Sequence, residues 1–285
     1  MLGKWLFFLI RFILRLVPVT LALFLGKCLG WLWYYVIPIR KKLVQKQIRE
    51  RLGDQVNERH ISRRMFENLG MNLVEFIRMN PATPDEITQS VERKNFHRLD
   101  NAIKAGNGVL VVTAHFGNWD LLCCSQSLMG VPLTILSKTI KPEWLNDYWM
   151  HTRKQCGIEI VPEKGVRDTL LARLKEGRVI GFVIDQHMPE QKGIVLDFLG
   201  KPASTTPGLA RLAIDSGAAI VPVFIFRIAN HRHVMDIGKP ITVDTDLTHD
   251  EAVFAITKKC NEALENAIFR QPDHWLWLHR RWKVR

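Results

Sequence analysis

The sequence predicts an α/β fold: a mostly parallel sheet flanked by helices, preceded by an N-terminal membrane-anchoring helix. Three observations carry this expectation. The apolar runs VLVVTA (109–114), PLTILS (132–137), VIGFVI (179–184) and AAIVPVFIF (218–226) have strand length and are hydrophobic on both faces. Helix-patterned segments separate them, and doubly buried strands alternating with helices build parallel sheets. The first 39 residues carry few polar side chains. At 285 residues and 47% hydrophobic, the chain can bury one large core.

The anchor comes first. Residues 5–42 read WLFFLIRFILRLVPVTLALFLGKCLGWLWYYVIPIRKK, with no acids and only Arg11, Arg15 and Lys27 as interior charges. Residues 16–37 just reach the roughly 20 apolar residues that cross a bilayer. Lys27 sits near the middle of that span, where it costs about 2.5–3.5 kcal/mol. A helix in the interface, or a shallow hairpin broken at Pro18, avoids the cost. Trp31, Trp33, Tyr34 and Tyr35 suit the headgroup level, and Arg40, Lys41, Lys42 and Lys46 suit anionic lipid. The competing reading is a buried core helix. Residues 1–39 are expected to anchor the chain, with the bulk of it on the cytoplasmic side.

Residues 40–84 form a basic helical lead-in, with Ile48, Leu52, Ile61, Met65, Leu69, Leu73 and Phe76 at helical spacing, closed by Asn80-Pro81. Residues 85–285 make the α/β core. Helices are expected at 119–128, 143–156, 165–175 and 207–216 between the apolar runs. A polar pair of strands at 231–243 and a helix from 248 to about 269 follow. In such sheets ligands bind beyond the carboxyl ends of the strands. His115 and Asp185 each lie one residue past such an end.

The charge is lopsided, with 40 Lys and Arg against 28 Asp and Glu, or +12. That field attracts nucleic acid, anionic lipid or an acidic protein without choosing among them. Cys28, Cys123, Cys124, Cys156 and Cys260 form no C-x-x-C pair and no zinc spacing, so no metal site is read and a reducing setting is expected. Nothing calls for a cofactor.

HFGNWD, directly after the first apolar run, carries the chemistry. A His followed five residues on by an acid arises about once by chance in a chain of this composition. The spacing also occurs at His231 and Asp236, in a strand-like stretch where an odd spacing puts the side chains on opposite faces. His115 and Asp120 differ in context. Gly117 permits a tight turn, Asn118 caps the next helix, and Asp120 falls in its first turn, within reach of the His. One reading is a dyad in which the carboxylate holds Nδ1–H and leaves Nε2 as a base. The other is a capping Asp beside a satisfied His. No Ser or Cys is placed as a nucleophile, so such a base acts on a substrate hydroxyl directly.

HFGNWD resembles the H-x-x-x-x-D/E motif of membrane acyltransferases, in the HFGNWE form of the late, lauroyl/myristoyl acyltransferases of bacterial lipid A biosynthesis. VIDQHMPEQKGIVLDFLGKPASTTPGLARLAIDSGAAIVPVFIFR resembles that family's second conserved region, and PDHWLWLHRRWKVR its close. The likeness covers nearly the whole chain. It implies a glycerolipid acyltransferase-like fold at the bacterial inner membrane, facing the cytoplasm. It also implies an acyl carrier protein (or acyl-CoA) donor and a phosphorylated glycolipid acceptor. His115 is then the general base and Asp120 orients it. Arg153 in HTRKQCG holds an acceptor phosphate, and Asp185 holds Arg153 or the substrate, or is structural. Gly117 and Asn118 supply donors to the thioester oxyanion, and Pro222 is structural. The family more often has Glu at the position of Asp120. Lysophospholipid, glycerophosphate or other glycolipid acyltransferases are the runner-up. The aromatic and cationic tail WLWLHRRWKVR reads as lipid contact rather than a nucleic-acid platform, and no nucleic-acid partner is expected.

Overall fold

Pro18 divides the apolar N-terminus into two helices, α1 (Leu2–Leu16) and α2 (Val19–Tyr35). The structure is a computed structural model describing residues 2–37, 39–79, 82–162, 165–242 and 246–284. The lead-in forms α3 (Lys41–Leu52), α4 (Glu58–Met79) and α5 (Pro84–Thr88). Strands and helices then alternate: β1 (Val91–Lys94), α6 (His97–Lys104), β2 (Val109–Thr113), α7 (Trp119–Leu128), β3 (Leu133–Ser137), α8 (Glu143–Gln155), β4 (Glu159–Pro162), α9 (Arg167–Lys175) and β5 (Val179–Val183). A hairpin, β6 (Ile194–Asp197) and β7 (Pro202–Thr205), leads to α10 (Gly208–Ser216), β8 (Ala219–Ala229), β9 (Arg232–Ile237) and α11 (His249–Arg270).

The sheet has seven strands in the order β1-β9-β8-β2-β5-β3-β4. From β8 to β4 all neighbours are parallel, while β9 runs antiparallel to β8. Every residue of β2 is buried, which explains its unbroken VLVVT. Leu110 and Val112 pack on one face with α9, α10 and α11. Val109 and Val111 pack on the other with α6, α7 and α8. The four long apolar runs are strands as expected. The four-residue β1, β4, β6 and β7 were not anticipated, being too short to carry a pattern. The polar region after residue 231 holds one strand, β9, and a single bridge from Ile241 to Ile220, rather than a strand pair. Val243 and the Asn80-Pro81 turn lie outside the described residues.

The anchor needs one correction. Among the described residues no helix is long and apolar enough to cross a membrane, so a span over 16–37 is not formed. Lys27 meets a protein partner, Glu67 of α4, at 3.7 Å. The α2 and α4 backbones approach closely at Gly26, Gly30 and Gly70, where a Cβ on any of the three would run into the facing main chain. Arg78 of α4 reaches back to the carbonyls of Leu14 and Val17, satisfying the end of α1. The tail is corrected too. Trp275 and Trp277 are fully buried in the core and do not face lipid.

Candidate active site

Parallel register decides what stands beside His115. Thr113 of β2 pairs with Val183 of β5, so the residues two further on, His115 and Asp185, emerge side by side at the carboxyl edge. Asp185 is fully buried; its Oδ1 lies 3.0 Å from His115 Nδ1, and its Oδ2 accepts the His115 backbone N–H at 3.1 Å. Trp275 Nε1–H donates to the same Oδ2 at 3.0 Å. The carboxylate in contact with His115 is therefore Asp185, not Asp120. Burial opposes ionisation of Asp185, but the charge and hydrogen bond of His115, the nearby His279 and the Trp275 donor together lower its pKa to about 2.

Asp120 instead belongs to Arg153. Arg153 of α8 places Nε at 2.8 Å and Nη2 at 2.7 Å from Asp120 Oδ1, and Trp149 Nε1 donates to the same oxygen at 3.2 Å. Arg153 Nη1 reaches Ser137 Oγ at 3.2 Å. The guanidinium is thus mostly buried and engaged by protein groups rather than a solvated surface charge. Asp120 still acts on His115 through space. Burial lowers the His115 pKa, yet Asp185, by charge and by hydrogen bond, and then Asp120 outweigh it, and the net shift is upward.

The turn between His115 and α7 is pinned from α4. Gly117 has φ +56, and a Cβ there would run into the Ile225 carbonyl. Its N–H donates to His274 O at 2.9 Å, and its carbonyl accepts from Asn72 Nδ2 at 2.7 Å. Asn118 Oδ1 caps α7 through Leu121 N–H at 3.0 Å, as expected, while its Nδ2 donates to buried Glu75 at 2.7 Å. Arg227 grips both Glu75 oxygens at 2.6 Å. The Gly117 N–H and the Asn118 side chain therefore hold the turn together. The control pair behaves as expected: His231 sits exposed in the β8–β9 turn, and Asp236 pairs with Arg270 at 2.7 Å.

Two contributions from the tail escaped the sequence reading. Its backbone pairs with the motif, since Leu276 N–H donates to His115 O at 2.9 Å and Phe116 bridges Trp275. This delivers His279, whose ring lies 5.2 Å from that of His115 and whose Nε2 is buried without a hydrogen-bond partner. Fully buried Arg281 braces the loop after Asp185, donating to Gln186 O at 3.1 Å and Thr205 Oγ1 at 2.6 Å. Buried Glu75 and half-buried Asn72 also went unnoticed. Their signal was polar side chains on the inner face of an otherwise apolar helical stripe. Burial pushes the Cys123 thiol up to about 12, away from the thiolate form that a nucleophile uses.

A family model for bacterial lipid A biosynthesis acyltransferases matches residues 1–284. The lipid A biosynthesis lauroyltransferase of Escherichia coli K12 is 25% identical over 268 residues, covering 92% of this chain and 85% of that protein. The lipid A biosynthesis palmitoleoyltransferase of the same organism is 25% identical over 278 residues, covering 94% and 87%. The phosphatidylinositol mannoside acyltransferase of Mycolicibacterium smegmatis is 29% identical over 189 residues, covering 65% of this chain and 60% of that protein.

Proposed function

From the premise that this chain belongs to the bacterial lipid A biosynthesis acyltransferases, and so is an acyltransferase, we propose that it transfers a fatty acyl group from an acyl carrier protein thioester to a hydroxyl of a phosphorylated glycolipid. The 3.0 Å contact between His115 Nδ1 and Asp185 carries the mechanism. A carboxylate there holds the proton on Nδ1 and keeps Nε2 as the base. Nε2 takes the acceptor hydroxyl's proton while its oxygen attacks the thioester carbonyl. As the tetrahedral intermediate collapses, the C–S bond breaks and the imidazolium protonates the departing thiolate. The products are an ester and a thiol, with no covalent enzyme intermediate. Asp185 and, from further off, Asp120 stabilise the imidazolium. His279, its ring 5.2 Å from that of His115 and its Nε2 without a hydrogen-bond partner, supplies a hydrogen bond to the reacting groups in this reading. Asp120 is a positioning residue that fixes Arg153 and the start of α7.

The proposal places the chain at the bacterial inner membrane, catalytic domain in the cytoplasm, with α1 and α2 lying in the interface. Large apolar side chains on their outer faces support this, among them Trp5 at 72%, Phe12 at 62% and Phe24 at 53% exposed. A second reading, a mannosylated phospholipid acceptor, is favoured by the likeness to the phosphatidylinositol mannoside acyltransferases. Mass spectrometry of lipids from a host lacking its own late acyltransferases separates the two. One added acyl chain on lipid A supports the first acceptor, and acylation confined to phospholipid-linked sugars the second. With purified protein, acyl carrier protein and CoA thioesters are compared as donors. His115→Ala is expected to lose about 10²–10⁴-fold in transfer, while His231→Ala stays near wild type. Wild-type activity in a folded His115→Ala protein rules the mechanism out.

A further inference from the structure

A cavity of about 510 Å³ opens at the corner where α2, α3 and α4 meet, away from His115, lined by Tyr34, Tyr35, Lys41, Gln45, Asn57, Arg59, His60 and Arg63. Its size suits a small ligand or a lipid headgroup. Three of the lining side chains are permanent cations, and among the described residues no carboxylate lines it. The nearby Glu58 is drawn off by Arg49 at 2.6 Å, and among the described residues Arg63 is the one of the three cations paired with a carboxylate, Glu67 at 3.5 Å.

The walls are built rather than loose. Gln45 Nε2 donates to Tyr34 Oη at 3.0 Å, and that hydroxyl donates to the Arg59 carbonyl at 3.3 Å, tying α2, α3 and α4 together. Lys41 Nζ stands 4.1 Å from the Tyr34 ring centroid and 5.7 Å from that of Tyr35, which fixes where the ammonium sits. Asn57 Oδ1 accepts the His60 N–H at 2.9 Å, holding the first turn of α4.

The surroundings select the anion. Leu32, Tyr35, Val36 and Ile39 are all exposed beside the cavity, and the apolar outer faces of α1 and α2 lie in the same N-terminal region of the chain. A cationic pocket next to an exposed apolar strip matches a molecule with a phosphate at one end and acyl chains at the other. We propose that this cavity binds the phosphate of an anionic phospholipid headgroup, with its acyl chains running along the strip. The site is separate from the acyl-transfer centre. Arg40, at the start of α3, donates to Leu278 O at 2.7 Å, and Gln47 of α3 donates to Trp277 O at 2.7 Å, so a lipid held here also fixes the tail that bears His279.

The test is flotation of the full chain with phosphatidylcholine vesicles, with and without phosphatidylglycerol, beside thermal shift with inorganic phosphate alone. Neutral vesicles report the apolar faces, and the extra binding caused by phosphatidylglycerol reports the cavity. K41Q/R59Q is expected to cut that increment about tenfold or more, leaving neutral-vesicle binding and activity in detergent unchanged. K41R/R59K, which keeps both charges, is expected to retain it. K42Q/K46Q removes two cations outside the cavity and is expected to cost clearly less. Equal losses in the two neutralised variants mean diffuse attraction and overturn the site, as does no loss in K41Q/R59Q. Stabilisation by inorganic phosphate without a phosphatidylglycerol increment assigns the cavity to a soluble phosphate and overturns the lipid. The deciding readouts, flotation and thermal shift, do not require acyl transfer, so failure here and failure of the catalytic proposal are told apart.

Discussion

Burial pulls the His115 imidazole toward its neutral form, while the Asp185 carboxylate and then Asp120 pull it toward the cation, and the carboxylates win. A general base must be neutral, so kcat/KM is expected to rise with pH through a midpoint above the ordinary 6.5. Asp185→Asn removes the strongest upward influence and leaves burial in charge. Its midpoint should fall relative to wild type, and its plateau should fall by about 10³–10⁴-fold because the amide no longer secures the tautomer. Asp120→Asn should move the midpoint less and act chiefly on stability. It leaves the mostly buried Arg153 without its anion, a loss of up to about 3 kcal/mol, the lower end for a broken buried pair, readable as a lower denaturation midpoint. A pH profile moved more by Asp120→Asn than by Asp185→Asn would reverse these roles. The sequence displayed both acids and the strand-end position of His115. What it did not display was which acid the His meets. Asp120 is near in the chain but turns toward α8, whereas Asp185 arrives through the pairing of β2 with β5, two strands 70 residues apart.

The four long strands and the helices between them were legible because each buries a continuous apolar face, which periodicity records. Order within the sheet was not, since nothing local states that β5 inserts between β2 and β3. The tail was misread for a related reason. Its tryptophans and arginines have the composition of a surface, yet the backbone pairs with residues 115–117 and takes the side chains inside. Helix α2 shows the reverse case, where a sequence with the hydropathy of a membrane segment spends one face on α4. Gly26, Gly30 and Gly70 let the two main chains touch, and nothing larger than hydrogen fits. Gly30→Leu or Gly70→Val is expected to force α2 off α4 and destabilise by at least about 1–3 kcal/mol. Gly3→Val, where a Cβ meets nothing within 4 Å, should leave the denaturation midpoint unchanged. Equal midpoints for all three proteins would mean that the α2–α4 contact contributes nothing to stability.

The membrane association proposed above would draw on two features of the assembled chain: exposed apolar faces on α1 and α2, and a net charge of +12. They respond differently to salt. The Debye length falls from about 10 Å at 0.1 M to about 3 Å at 1 M, so charge attraction fades while apolar insertion persists or strengthens. Binding to phosphatidylglycerol-containing vesicles should therefore drop steeply as salt rises and then level off. The plateau should equal the binding seen with neutral vesicles at the same salt. A fall to zero at high salt would mean that α1 and α2 do not insert and that their apolar faces meet something other than lipid. A flat, salt-independent curve would mean that the positive charge plays no part in holding the enzyme to the bilayer. The plateau height reports the apolar contribution directly. Replacing the outward-facing Trp5, Phe12 and Phe24 with Ser should lower it, and the salt-sensitive step above it should keep its size, because those side chains carry no charge.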